Sequence, residues 1–186
     1  PSIRQNNMSI FTAEKRGTIE QNVTYAVVND HDLRMDIYYP KSRGPWPGLF
    51  FIHGGAWSGG DKAPLAIIPS GYLVASINYR LYPQARFPAM IEDVKCAIRF
   101  LRAHAAQFNL DPARIGLIGH SAGAHLAALA GLVGPEAGWD VGPYLDQPSS
   151  VQAVVELSGP TDLTGNFLDE VNRLKIQVFG QDNLSS

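Results

Sequence analysis

Ser121 sits at the centre of Gly119-His120-Ser121-Ala122-Gly123, at the point where the hydrophobic pattern of the chain changes period. Arg114 to His120 reads as a buried strand and Ala122 to Val133 as a helix, which places Ser121 on a direct strand-to-helix turn. So tight a turn forces strained backbone on its central residue and requires small neighbours, which Gly119 and Gly123 supply. The hydroxyl is lifted clear of the sheet at a helix N-terminus, where unpaired NH groups and the helix dipole favour negative charge. Nucleophilic attack is the chemistry such a corner serves. The same small residues also suit plain packing of helix on sheet, and the predicted elements on either side favour the chemical reading.

A second stretch, Phe51 to Lys62 (FIHGGAWSGGDK), follows another buried strand. Glycines there let backbone NH groups turn toward one point, as a tetrahedral oxyanion requires. Gly55 and Ala56 are the candidate donors from this loop, and the Ala122 NH is the third. Alone, the loop would read equally as a glycine turn beside a packing Trp57. With the serine elbow it forms the second part of one acyl-transfer site.

Such a site needs a base and an acid. The histidines are His31, His53, His104, His120 and His125, and none lies far past Ser121 in the chain. His53 is expected to shape the loop and His104 to lie on a helix surface. His120 and His125 are too near the nucleophile in sequence to approach it readily as a base. Asp162 ends the stretch Ser-Gly-Pro-Thr-Asp and reads in two ways, as a triad acid displaced by one strand or as a side chain capping turn NH groups.

The elements that carry these groups form a regular series. Val23 to Val28 and Leu33 to Tyr39 are β-rich runs joined by a turn at Asn29 to Asp32. Gly48 to His53 and Tyr72 to Tyr79 are short apolar runs of the kind found in parallel strands buried on both faces. Met90, Val94, Ala97, Ile98, Leu101 and Ala105 form a helical stripe between Ala89 and Phe108. After the elbow and its helix, a Gly/Pro-rich loop from Gly134 to Ser150 leads to a strand at Val151 to Leu157, and Asn166 to Phe179 holds a last helix. This order predicts a mostly parallel sheet with helices on both faces and an N-terminal antiparallel hairpin. His53 to Trp57, His120 to Ala122 and Ser158 to Asp162 then converge at the carboxyl ends of strands, where such sheets bind ligands.

Composition narrows the partners. The 186 residues are 45% hydrophobic and carry a formal charge of −2, with basic and acidic groups spread evenly, so nucleic acid and anionic membrane surfaces are excluded as expected partners. No apolar run approaches the ~20 residues of a membrane span. Cys96 is the only cysteine, which removes internal disulfides and leaves a packing role. No metal or other cofactor is called for. PSIRQNNMSI shows no secretory pattern, which tilts the expected location toward the cytoplasm, although no initiator Met is present either.

His53-Gly54-Gly55-Ala56-Trp57, Asn78-Tyr79-Arg80-Leu81, the run from Phe87 to Leu129 and VQAVVELSGPTDL from Val151 to Leu163 together resemble the α/β-hydrolase superfamily. Within it, they are most similar to the esterase/lipase branch related to hormone-sensitive lipase and to bacterial feruloyl and acetylxylan esterases. The resemblance implies a cofactor-free serine carboxylic-ester hydrolase acting through an acyl-enzyme on a small or carbohydrate-linked ester. Arylformamidases share the HGG-x-W loop and imply an amide substrate instead. A non-catalytic protein of the same fold that binds a ligand or partner without turnover is the rival class. The resemblance also implies that the usual acid and histidine follow strands beyond Ser186, so that residues 1–186 form one domain incomplete at its C-terminal side. Between Lys62 and Tyr72 similar proteins carry a longer helix. Arg80 and Asp93 match the family and are expected to hold loops, whereas Tyr82 and Gln84 depart from its usual Ala and Glu.

Overall fold

The computed structural model describes residues 17–62, 70–165 and 169–180. The hairpin is formed by β1 (Ile19–Val28) and β2 (His31–Tyr38). Its turn is shorter than the sequence suggested: Asn29 and Asp30 alone make the corner, with φ of 48° and 62°, the left-handed pair that suits the twist of a two-residue hairpin. There follow β3 (Trp46–Ile52) and β4 (Leu73–Ile77), then α1 (Ala89–Ala103) and a single further turn, α2 (Ala105–Phe108). The second half comprises β5 (Leu110–His120), α3 (Ala122–Leu132), β6 (Ala153–Leu157) and α4 (Asp169–Phe179). The short segment between Lys62 and Tyr72 falls largely on residues 63–69, outside the described residues.

The six strands of the described residues form one sheet in the order β1-β2-β4-β3-β5-β6. β4, β3, β5 and β6 run parallel, and β2 joins β4 antiparallel. The register aligns Met35, Ile77, Ile52 and Gly119 in one row across β2, β4, β3 and β5. The residues that leave this row, including Asn78, His53 and His120, therefore share one rim of the sheet. β5 begins earlier than the sequence suggested because Leu110 and Asp111 pair with Trp46 and Pro47 before a register shift, an irregularity that accommodates Pro112. β6 begins later, since Gln152 turns its side chain into the ladder and accepts the Ile115 NH at 2.8 Å.

One face of the sheet, formed by Phe50, Ile52, Ala75, Ile77, Ile115 and Leu117, is buried in a continuous core with α1 and α3. α1 contributes the expected stripe, with Met90, Val94, Ala97, Ile98 and Leu101 fully excluded from solvent. Its polar side is buried too. Lys95, Arg99 and Arg102 are covered by the Gly134–Ser150 loop, which they fasten from beneath. Lys95 Nζ donates to Val133 O, Asp140 Oδ2 and Ser149 Oγ, while Arg99 donates to Asp140 Oδ1 and to the Val141 and Pro143 carbonyls. Arg102 takes the carbonyls of Pro112, Pro148 and Ser150. Among the described residues no helix is long and apolar enough to cross a membrane.

Asp140 is the carboxylate that Lys95 and Arg99 share. Asp140→Asn leaves two buried cations without their counter-charge and should cost about 3 kcal/mol or more in urea unfolding. A loss under about 0.5 kcal/mol would show that the carbonyls alone compensate them.

Candidate active site

The elbow has the geometry its sequence implied. Ser121 links the last residue of β5 to the first of α3 with φ 54° and ψ −121°, a conformation that L residues rarely adopt. Its NH is held by Leu157 O at 2.8 Å, and its carbonyl accepts the Ala124 and His125 NH groups at 2.9 and 3.2 Å. A serine preceding a helix usually caps it with its hydroxyl; here no such bond forms, so Oγ is not spent on its own helix. Ala122 and Gly123 are first-turn residues whose NH groups have no intrahelical acceptor.

Close approach explains the glycines. A Cβ on Gly123 would collide with the carbonyls of Ile52 and His53, and one on Gly119 with Gly123 itself. The end of β3 thus lies directly against the first turn of α3. A Cβ on Gly54 would stand 2.8 Å from His120 O and 3.1 Å from Ser121 Cβ. The loop and the elbow therefore meet backbone to backbone.

Beyond Gly54 the chain makes a left-handed turn, with φ of 114° at Gly55, 51° at Ala56 and 58° at Trp57. Ser58 and Gly59 close it by donating to Gly55 O, both at 3.0 Å. The Gly55 and Ala56 NH groups are carried by this turn at the carboxyl end of β3, the strand next to that of Ser121. Such a turn, facing a helix N-terminus, can supply convergent donors to an anionic oxygen.

His53 takes the loop-shaping position that the sequence suggested, whereas His104, expected on a helix surface, is half-buried at the break between α1 and α2 against Phe100 and Tyr144. His53 is buried, stacked on Tyr79 with ring centroids 4.4 Å apart, and its Nδ1 donates to Gly54 O at 2.7 Å. Burial pushes its pKa below the usual value. His104 caps the end of α1 through Phe100 O. His125 lies against Trp57 and Phe179 in edge-to-face contacts, each with centroids 5.5 Å apart. Desolvation lowers its pKa to about 4. His120 is exposed. Among the described residues no hydrogen bond joins the Ser121 hydroxyl to a histidine.

Asp162 lies on the surface. Its carboxylate accepts the Thr164 NH at 2.8 Å and the Thr164 hydroxyl at 2.6 Å, and these bonds hold its pKa below the ordinary carboxylate range. This is the turn-capping arrangement, and the structure does not bring Asp162 into contact with a histidine. No group of three or more His, Cys, Asp or Glu among the described residues could hold a metal ion.

Of the supports of the loop, the sequence pointed only to Arg80 and Asp93, through the family resemblance. Tyr79 Oη donates to His53 O at 2.9 Å, and the Tyr82 NH to Trp57 O at 2.9 Å. Arg80 ties the same segment to α1 through Asp93, donating from Nε at 2.9 Å and from Nη2 at 2.7 Å. The alternation of Asn78-Tyr79-Arg80 with apolar residues gave no signal of these partners beyond the family resemblance.

The parallel sheet, the elbow after β5 and the glycine loop after β3 define an α/β-hydrolase fold. A carbohydrate esterase from gut microbiota, solved in truncated form, superimposes with a TM-score of 0.67 at 34% identity, over 81% of this chain and 59% of that one. The chain belongs to the BD-FAE family, whose model matches residues 35–181. Among curated proteins it is 35% identical over 146 residues to the esterase LipC of Mycobacterium tuberculosis, covering 72% of this chain and 36% of that protein. It is 43% identical over 101 residues to a probable isoprenylcysteine alpha-carbonyl methylesterase of Arabidopsis thaliana, covering 51% of this chain and 21% of the relative. The chain thus spans only about a fifth to a third of these two relatives, 21% and 36% of their lengths. The superfamily and esterase branch read from the sequence are borne out.

His125 makes the site region sensitive to acid. Its pKa of about 4 in the folded chain, against 6.5 when unfolded, means that the unfolded state takes the proton first as pH falls. Stability should drop between about pH 6.5 and pH 4, by on the order of 3 kcal/mol from this residue. Urea titrations of His125→Phe should show a shallower fall over that window than the parent; an identical pH slope would contradict the assignment.

Proposed function

We propose that this protein is a serine carboxylic-ester hydrolase in which Ser121 is the nucleophile and the Gly55, Ala56 and Ala122 NH groups bind the oxyanion. The observation that carries this reading is the close approach of Gly54 to the elbow, where a Cβ on Gly54 would stand 3.1 Å from Ser121 Cβ, so that a left-handed turn of NH groups lies against a serine whose hydroxyl does not cap its own helix. Ser121 Oγ attacks the ester carbonyl as its proton passes to a base, and the carbonyl oxygen gains its charge beside the donors. Collapse of the tetrahedral intermediate breaks the bond to the alcohol, which leaves with the proton, and water then releases the acid from the acyl-enzyme. Preorganised donors act on the charge that develops in the transition state, so each is worth about 100-fold or more in rate.

The base and its acid lie, in this reading, on further strands that add to β6. β6 is the edge of the sheet, and its Val155 and Leu157 are 45% and 41% exposed, an apolar margin that further chain would cover. The greater length of the gut carbohydrate esterase supports the same view. The similarity to a carbohydrate esterase also makes a carbohydrate-linked ester the first substrate class to try, with a small aliphatic ester second. In this reading residues 1–186 belong to one α/β-hydrolase domain that is incomplete at its C-terminal side.

A protein containing the whole domain should hydrolyse p-nitrophenyl acetate and accept a fluorophosphonate on Ser121. Ser121→Ala should lower kcat by about four orders of magnitude or more, with the fold intact by circular dichroism. Undiminished turnover in that variant would refute the assignment. Binding of substrate without turnover or labelling in the parent would favour a non-catalytic protein of the same fold.

A further inference from the structure

We propose that Asn78 is the positioning residue for the loop His53–Lys62, gripping its far end through Asp61 and Lys62 so that the Gly55 and Ala56 NH groups stay aimed beside Ser121. The proposal rests on the reading of those two groups as oxyanion donors.

The loop contains three successive residues with positive φ, two of them not glycine. Left to itself such a turn relaxes, because each non-glycine residue in it costs about 1–2 kcal/mol. It persists only where its ends are over-determined. Four bonds supply that constraint: Tyr79 Oη to His53 O at 2.9 Å, Tyr82 N to Trp57 O at 2.9 Å, Lys62 N to Asn78 Oδ1 at 2.7 Å and Lys62 Nζ to Asp36 Oδ1 at 2.8 Å. Residues 78–82 contribute to three of them. The last bond is a largely desolvated ion pair, with Lys62 12% and Asp36 6% exposed.

Asn78 is itself immobilised. Its NH donates to Arg34 O at 2.9 Å, and its carbonyl accepts the Tyr25 hydroxyl at 2.7 Å. Its side chain works in both directions, accepting from the Lys62 NH while hydrogen-bonding the Asp61 carboxylate, which that bond holds below the usual carboxylate pKa range. Its amide accepts through the oxygen and donates through the nitrogen, so it serves both partners at once. Asn78 follows β4, two strands from the elbow, which is roughly 10 Å from Ser121. It touches no reacting atom and acts through the loop.

The test reverses the pair. In the complete protein, with turnover first shown to depend on Ser121 by the Ser121→Ala variant, Asn78→Asp sets two carboxylates against each other. It should lower kcat for p-nitrophenyl acetate about 100-fold while KM changes little, as misplaced catalytic groups do. Adding Asp61→Asn restores one donor and one acceptor with their places exchanged, and should recover kcat at least about tenfold. Should Asn78→Asp fail to fold, Asp61→Ala removes an exposed carboxylate and should itself lower kcat about tenfold. Ser121-dependent turnover within twofold of the parent in Asn78→Asp, or no recovery in the double variant, overturns the proposal alone. So does Asp61→Ala with kcat within twofold of the parent. Turnover that survives Ser121→Ala overturns the underlying reading together with it.

Discussion

The architecture of the site depends on one steric constraint: the end of β3 and the first turn of α3 must meet without side chains between them. Gly123 lies where a Cβ would strike the carbonyls of Ile52 and His53, and Gly54 lies where one would press on Ser121. A methyl group at either position would separate loop from elbow. An added group of that size in a close-packed contact typically costs about 1–3 kcal/mol and shifts backbone. The elbow geometry of Ser121 and the left-handed turn after Gly54 are both strained, and each is sustained by its contact with the other.

That contact is supported from both sides. On one side, Asn78, Tyr79 and Tyr82 hold the glycine loop, and Arg80 ties their segment to α1 through the buried Asp93. On the other, the cations of α1 fasten the Gly134–Ser150 loop, which leads into β6, whose Leu157 carbonyl receives the Ser121 NH. α1 is therefore more than a packing helix. Its apolar stripe fills the core, its first turn anchors the 78–82 segment, and its buried basic side organises the chain that reaches the elbow from behind.

Much of this was legible in the sequence. Alternation and helical spacing identified the elements, and the paired signals GHSAG and HGGAW marked the tight turns at the ends of β5 and β3, because glycine spacing reports directly on backbone approach. Partnerships between polar side chains were not legible. Nothing in the spacing of Lys95, Arg99 and Arg102 reveals that a loop far along the chain will cover them; the separation of Lys95 from Asp140 is 45 residues. Asp162 carried two readings that local sequence could not separate, and the bond from the Thr164 hydroxyl chose turn capping. Asn78 stood in a recognisable motif, yet its role emerges only when the register of β3 and β4 brings the loop end beside it.

The central claim is that Ser121 attacks and that the Gly55, Ala56 and Ala122 NH groups receive the resulting negative oxygen. The most direct measurement is a crystal structure of the complete protein after reaction with a fluorophosphonate. The account predicts phosphorus bonded to Ser121 Oγ, with one phosphoryl oxygen about 2.7–3.1 Å from those three nitrogens. Phosphorus on another residue, or a phosphoryl oxygen directed away from the Gly55–Ala56 turn, would contradict it.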